Sequence, residues 1–424
     1  MSMEHLYSPA RKSDFPIFSR VINGSPLVYL DSGATSQRPR SVLQAMYDHD
    51  AIHNGAVNRG SHTLAGESTL AFEKVRNDVA QFVGAFPDEI IWTSGSTMAL
   101  NAIAYSCANA SQGRYINEDS ERFSLSASDT IVVTRAEHHA NLVPWQELAA
   151  RTGAILRWID LDSEGYIDEN TLDVIDERTK ICAFTHVSNV SGVINDVDKI
   201  ANIAHSVGAL VVLDACQSVP HMSVDFHALD VDFAVFSGHK MLGPTGIGVL
   251  YGKRDLLASL PPFLTGGSMI ETVEMESSTY DIPPARFEAG TQAVTQIIGL
   301  GEAVRYLNGI GMDVIHRHEQ ELTRYALEKM NDMEGIRILG PSRLHNRLGA
   351  LAFDVDGVHP HDVGQFLDAK GVAVRTGHHC AQPLHRHLGV YASSRASFGP
   401  YNTLDDVDRF IEALAGVRSY FSVE

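Results

Sequence analysis

Lys240 follows directly on the apolar run DFAVF (232–236), in the segment Ser237-Gly238-His239-Lys240. A lysine just beyond a buried strand is poorly placed for a solvated role, and such amines form Schiff bases when burial and a neighbouring positive charge lower their pKa. Asp214 closes a second apolar run, ALVVLD (209–214), with Gln217 three residues on. A carboxylate in that position needs a hydrogen-bonding or cationic partner, because desolvation otherwise forces it neutral. Capping of the next helix supplies one such partner, and a protonated ring nitrogen supplies another. His138 and His139 follow TIVVT (130–134). Adjacent imidazoles there can stack on a ring, shuttle protons or serve the packing, whereas a metal site lacks a carboxylate or thiol at credible spacing. Ser94-Gly95-Ser96-Thr97 follows EIIWT (89–93) and opens an apolar helix. Backbone N–H groups and hydroxyls at a helix start suit a phosphate, and equally an ordinary N-cap. His186-Val187-Ser188-Asn189 follows ICAFT (181–185).

A separate group lies near the C-terminus: Arg375-Thr376-Gly377-His378-His379-Cys380-Ala381. An arginine and two histidines precede Cys380 within five residues. If they face the sulfur they favour the thiolate, and so a nucleophile. Fifteen residues on, Arg395 in Ser393-Ser394-Arg395-Ala396-Ser397 can hold a carboxylate bidentately or make a surface salt bridge. Cys107, Cys182 and Cys216 lie in apolar segments and read as small buried residues.

The elements that must position these groups alternate. The five apolar runs read as strands buried on both faces, and the stretches between them carry helical periodicity. In TLAFEKVRNDVAQFVGA (69–85), Leu70, Phe72, Val75, Val79, Phe82 and Val83 fall towards one face; VDKIANIAHSVGA (197–209) is a second helix. That alternation means an α/β fold with a mainly parallel sheet and helices on both sides. IGVLYG (247–252) is expected as an added antiparallel strand. Ligands bind outside the carboxyl ends of such strands, and five chemically loaded segments follow five strand ends. Asp214 and Lys240, 26 residues apart on different strands, form the arrangement that pyridoxal phosphate requires. From about Gly299 the pattern becomes α+β, and Asn109 to Asp129 reads as a polar surface loop.

Composition narrows the classes. Of 424 residues 44% are apolar and 20% charged, enough for a large core. Lys and Arg number 33 against 52 Asp and Glu, a net charge of −19 that makes nucleic acid and anionic lipid poor partners. No apolar stretch is long enough to span a bilayer, and MSMEHLYSPARKSDFP lacks the apolar core of a signal peptide. Four well-separated cysteines without a CxxC pair fit a reducing cytoplasm.

The pieces AEHHANLVPWQ, THVSNVSG, VLDACQSVPH, VFSGHKMLGPTGIGVLYG, RFEAGT and RTGHHCAQPL together resemble the aminotransferase class V family, and within it the group II (SufS-type) cysteine desulfurases. The similarity runs from Tyr29-Leu30-Asp31-Ser32 to beyond Tyr401-Asn402-Thr403. It implies a pyridoxal phosphate enzyme of fold type I: a homodimer with a seven-stranded large domain over residues 26–298 and a small α+β domain from residues 1–25 plus 299–424. It implies conversion of L-cysteine to L-alanine, with a persulfide left on Cys380 and passed to an acceptor protein for iron–sulfur cluster assembly. By motif, Lys240 holds the cofactor as a Schiff base, Asp214 pairs with its pyridinium nitrogen, His138 stacks on the ring and serves proton transfer, and Gln217 reaches the ring hydroxyl. Ser96, Thr97, Ser237 and His239 hold the phosphate, and Thr291 reaches that of the neighbouring subunit. Asn189 and Arg395 hold the substrate carboxylate. His361, in Val358-His359-Pro360-His361-Asp362, implies a zinc-containing acceptor. Selenocysteine lyase is the alternative activity. Cys216 stands where many relatives have Ala, as a bystander or an oxidation-sensitive thiol. Ser96 stands for a more usual Thr, and the 109–128 loop is longer than in many relatives.

Overall fold

Burial on both faces is what turns the apolar runs into strands. The computed structural model describes residues 7–58, 60–114 and 119–423. Its large sheet contains β1 (Ile90–Thr93), β2 (Thr130–Thr134), β3 (Ile155–Ile159), β4 (Thr179–Thr185), β5 (Leu210–Asp214), β6 (Phe233–Ser237) and β7 (Gly248–Gly252). The order is β1-β7-β6-β5-β4-β2-β3. Strands β2 to β6 pair in parallel, and β7 runs antiparallel to both β1 and β6, as expected for IGVLYG. The strand that no apolar run announced is β3. It is an edge strand with Ile155 50% and Trp158 49% exposed, so its sequence carries no continuous buried pattern.

Two helices flank these strands as their periodicity predicts. Helix α1 (Thr63–Phe82) buries Phe72, Val75 and Val79, and begins six residues earlier than the pattern suggested, where the His62 side chain accepts from the Ala65 N–H. Leu70 does not share that face: it is 75% exposed. At 3.6 residues per turn, a position two before Phe72 points more than half a turn away. From inside α1, Arg76 makes two hydrogen bonds to the Glu288 carboxylate and lies over Trp92, tying down the segment that carries Thr291. Helix α2 (Ser96–Ser111) follows β1, and α3 (Val197–Ser206) is capped by Asp196, which accepts from the Lys199 N–H.

The polar stretch 109–129 is only partly a loop. Asn109 to Ser111 finish α2, and Asn109 Nδ2 donates to the Pro262 carbonyl. Ser120–Phe123 forms a short 3-10 turn with Phe123 buried. Residues 115–118 lie outside the described residues.

The C-terminal region begins with α4 (Val294–Ile310), whose Ile297, Leu300 and Ala303 join the core of the large sheet, and α5 (Met312–Asn331). A four-stranded antiparallel sheet follows: β8 (Ile336–Ile338), β9 (Ala350–Val355), β10 (Arg375–Gly377) and β11 (Ser393–Ser397), ordered β8-β9-β11-β10. Helix α6 (Pro360–Ala369) packs so closely that a Cβ on Gly364 would lie 2.6 Å from Thr376 Cγ2. Helix α7 (Gln382–His387) follows the cysteine segment. Helix α8 (Leu404–Ala415) starts with a capping box of Thr403 and Asp406 and lays Phe410 against Phe353. The core of this layer also contains Val28 and Leu30, and residues 28–29 pair in parallel with 372–373. Among the described residues no helix is long and apolar enough to cross a membrane.

Candidate active site

The carboxyl ends of β2 and β6, the start of α2 and the segment before α7 converge on a cavity of about 520 Å³. Ser96, Thr97, His138, Asn189, Ser237, His239, Lys240, Cys380 and Arg395 all line it. Nine residues drawn from the sequence thus meet in one space, although up to 299 positions (Arg395 to Ser96) separate them.

One wall is an anion cradle. Gly95 precedes α2 with φ 154°, and β7 presses so close that a Cβ on Gly248 would lie 2.5 Å from Gly95 Cα. The Ser96 N–H donates to Ser237 Oγ at 2.9 Å, and the Ser237 hydroxyl donates to Ser96 Oγ at 3.0 Å. First-turn N–H groups with hydroxyls beside them favour a phosphate.

On the opposite side His138 is held by its neighbour: the Ala140 N–H donates to Nδ1 at 3.0 Å, which leaves the ring proton on Nε2. Burial, then the Lys240 charge, pushes its pKa down to about 4, so the ring is neutral. Lys240 itself meets no hydrogen-bonding or ionic partner among the described residues. Asp214 is buried at the end of β5, and its Oδ1 accepts the Cys216 N–H at 3.0 Å; the segment after it is a turn and not a helix, so it caps no helix there. Asp214 and Gln217 are buried but not among the cavity's lining residues; Gln217 Nε2 donates to the Gly33 carbonyl at 2.8 Å.

Glu137 is a site residue that the sequence reading passed over. It is fully buried beside His138, and its carboxylate accepts from Thr134 Oγ1 (2.5 Å), Asn141 Nδ2 (2.6 Å) and the Thr185 N–H (3.0 Å). Burial pushes its pKa up to about 8 against those three donors. Its place beside the His138–His139 pair, just past a buried strand, was the available signal.

Arg395 is 2% exposed, so the surface salt-bridge reading fails. Its Nη1 donates to the Asn189 carbonyl at 2.8 Å and its Nη2 to Asp31 Oδ1 at 3.3 Å, while Nε is buried without an acceptor. A planar cation held on two sides with a donor unspent fits a ligand carboxylate. Asp31, its anchor, was likewise not singled out from sequence.

Cys380 is exposed, while Cys107, Cys182 and Cys216 are buried and pushed up to about 12 by burial. That makes Cys216 a bystander rather than a reactive thiol. The charge facing Cys380 is not an imidazolium at His379. Burial, then Arg395, drives the pKa of that ring down to about 2, and its Nε2 lies 2.9 Å from Ser393 Oγ. Arg395 is a nearby fixed cation, and Arg375 lines the same cavity. Thr291 lies away from this cavity, exposed at the edge of another of about 470 Å³. His361 is exposed near the start of α6.

Residues 28–410 match the family described as aminotransferase class-V. The chain belongs to that family. Over the full length of both sequences it is 52% identical to the "Probable cysteine desulfurase 2" of Mycobacterium leprae. It is 47% identical to the "Probable cysteine desulfurase" of Streptomyces coelicolor, with 98% of each covered. An apo cysteine desulfurase from Thermococcus onnurineus NA1 superposes with a TM-score of 0.89 at 37% identity, covering 96% of this chain and 97% of that one. The cysteine desulfurase CsdA from Escherichia coli gives 0.86 at 36%, covering 98% and 99%. The donor set fits the pyridoxal phosphate of such enzymes: an unpartnered lysine amine, a neutral imidazole and a hydroxyl-lined helix start share one cavity.

Proposed function

We propose that this chain is a pyridoxal phosphate–dependent cysteine desulfurase of the group II kind, converting L-cysteine to L-alanine and taking the sulfur on Cys380. The observation that carries the reading is one exposed cysteine beside Arg395 in the cavity that also holds Lys240. Ser96, Thr97, Ser237 and His239 would hold the cofactor phosphate, Asp214 its ring nitrogen, Gln217 its ring hydroxyl, His138 its ring face and Lys240 its carbonyl carbon. When bound, the cofactor supplies an electron sink that acidifies the α-hydrogen of an attached amino acid.

The rest is done by the chain. Arg395 Nε receives the substrate carboxylate, and Asn189 helps to orient it. The Lys240 amine moves the α-proton, and the His138 Nε2 proton is the one available to the departing product. Cys380 as thiolate attacks the substrate sulfur: an S–S bond forms, the C–S bond breaks, and its electron pair stays with the carbon that becomes the alanine methyl group. Cys380 is left as a persulfide, which a second protein then accepts for iron–sulfur cluster assembly. Thr291 would complete the phosphate site of a second copy of the chain in a homodimer. His361, exposed on the helix behind β10, would meet the acceptor's zinc.

Alanine and persulfide formation from L-cysteine, compared between the wild type and Cys380→Ala with the cofactor spectrum recorded, tests the reading. Alanine with a Cys380-dependent persulfide is expected. A normal cofactor spectrum with neither product would overturn it and turn attention to selenocysteine.

A further inference from the structure

We propose that His139 is a positioning residue for Cys380, holding the turn that carries the thiol through two hydrogen bonds. The inference rests on reading Cys380 as the sulfur acceptor. Of the two adjacent histidines after β2, only His138 has a place against Lys240 and Asp214. The two rings diverge, with centroids 6.4 Å apart and planes inclined at 52°.

His139 meets the cysteine segment instead. Its backbone N–H donates to the Cys380 carbonyl at 2.6 Å, and its ring Nε2 accepts the Gln382 N–H at 3.2 Å. Gln382 is the first residue of α7, which has no side-chain cap of its own, so the imidazole takes up a helix-end donor from outside the segment. One residue earlier, Asn189 Nδ2 donates to the His379 carbonyl at 2.6 Å. The residues so bracketed are unusual: His379 (φ 49°) and Cys380 (φ 56°) are both left-handed and neither is glycine. Non-glycine residues persist there only where their surroundings over-determine them. His139 supplies two of the hydrogen bonds that do so, beside those from Asn189, from Ser393 to the His379 ring and from the Ala381 N–H to the His378 carbonyl. Both of its own come from the short 3-10 turn (His139–Asn141) that follows β2. The ring must be neutral, with its proton on Nδ1, to accept at Nε2. Its burial and the neighbouring His378 both lower its pKa, in keeping with that state.

Fixing the turn fixes where Sγ stands relative to the bound substrate, and small misplacements of a reacting atom are costly to rate. The ring chemistry at Lys240 does not depend on this contact. Loss of the His139 acceptor is therefore expected to slow sulfur transfer and leave cofactor binding alone.

The test compares His139→Leu, which removes the acceptor, with His139→Gln, whose Oε1 can take the place of Nε2. Holoenzymes are followed by cofactor absorbance, by single-turnover persulfide formation on Cys380, and by the iodoacetamide alkylation rate of Cys380 without substrate. The Leu variant is expected to lose about ten-fold or more in single-turnover rate, with KM and absorbance unchanged and an altered alkylation rate. The Gln variant should recover to within about three-fold of wild type. Wild-type persulfide and alkylation rates in the Leu variant, or equal losses in Leu and Gln, would overturn the assignment. If the Leu variant yields no holoenzyme, His139→Asn, too short to reach the Gln382 N–H, replaces it with the same expected loss. A wild type that forms no persulfide would sink the function beneath this inference, while the alkylation rates still decide the positioning role.

Discussion

At the strand ends Asp214, His138 and Ser237 leave buried strands; Asp214 and His138 are each fixed within their own segment, by the Cys216 and Ala140 N–H groups, and Ser237 by Ser96 at the start of α2. Cys380 is held differently. It is exposed, sits in a left-handed pair and is steadied by His139 and Asn189, which are far away in sequence. At Asp214 and His138 the cofactor side is built from local geometry that the sheet enforces. The sulfur side is a strained turn that borrows its rigidity from that sheet. The contrast suits the proposed role of Cys380, which would take sulfur inside the cavity and then present it outside.

The widest break in this comparison comes from removing the reacting groups themselves. Cys380→Ala should leave the cofactor's absorbance as in the wild type, while alanine formation from L-cysteine falls by roughly a thousand-fold or more. Lys240→Ala should do the reverse to the spectrum, losing the lysine-linked band, with a similar loss of turnover. Equal spectral changes in both variants would show that the two sides are not separable.

Arg395 joins the sides, since it stands beside Cys380 and is anchored on Asn189 and Asp31. Arg395→Lys keeps the charge but loses the planar fork, and kcat/KM is expected to fall by about a hundred-fold. Steady-state kinetics with L-cysteine check this, and a loss below about three-fold would remove the carboxylate role from Arg395.

Acid sharpens the comparison next. Burial holds His186 and, with Lys240 and other charges, His138 and His239 near a pKa of about 4, and His379 near about 2. The unfolded chain binds those protons near pH 6.5. The stability of neutral packing is therefore intact above pH 6.5 and lost as pH falls towards 4, with His379 contributing over the same interval and on down to about pH 2. Glu137, raised to about 8, works in the other direction, one group against four. Melting temperature should thus decline between pH 6.5 and 5, and less steeply in His379→Gln. A flat curve over that interval would mean that the rings are not held neutral.

Much of the strand-end side was legible because parallel strands announce themselves as continuous apolar runs, and whatever follows them stands at the sheet's ligand edge. Lys240, Asp214 and His138 were readable for that reason. Edge strand β3 was not, because half-exposed Ile155 and Trp158 break the pattern. Nor were Asp31, whose partner Arg395 lies 364 residues away, and Glu137, whose burial beside β4 the local sequence does not show. Leu70 shows a different limit: its apolar type suggested the buried stripe, while the helical period puts it on the far side of α1 from Phe72. The neutral state of His379 was hidden too: the fold buries that ring, and the cations it places in the cavity with Cys380 are Arg375, which the sequence offered, and Arg395.

The smallest expected effect lies furthest from the cavity. His361 is exposed near the start of α6, 3.7 Å from Asp362. The same helix packs against β10, the strand that leads to Cys380. A protein docking on His361 would therefore press on the back of the cysteine segment without entering the cavity. His361→Ala is expected to leave basal alanine formation within about two-fold of wild type and to lower turnover with a zinc-loaded acceptor by about three- to ten-fold. The same acceptor stripped of zinc should show a smaller difference between wild type and variant, because the imidazole then has no metal to meet. If the variant responds to both acceptor forms as the wild type does, the acceptor does not use this end of α6.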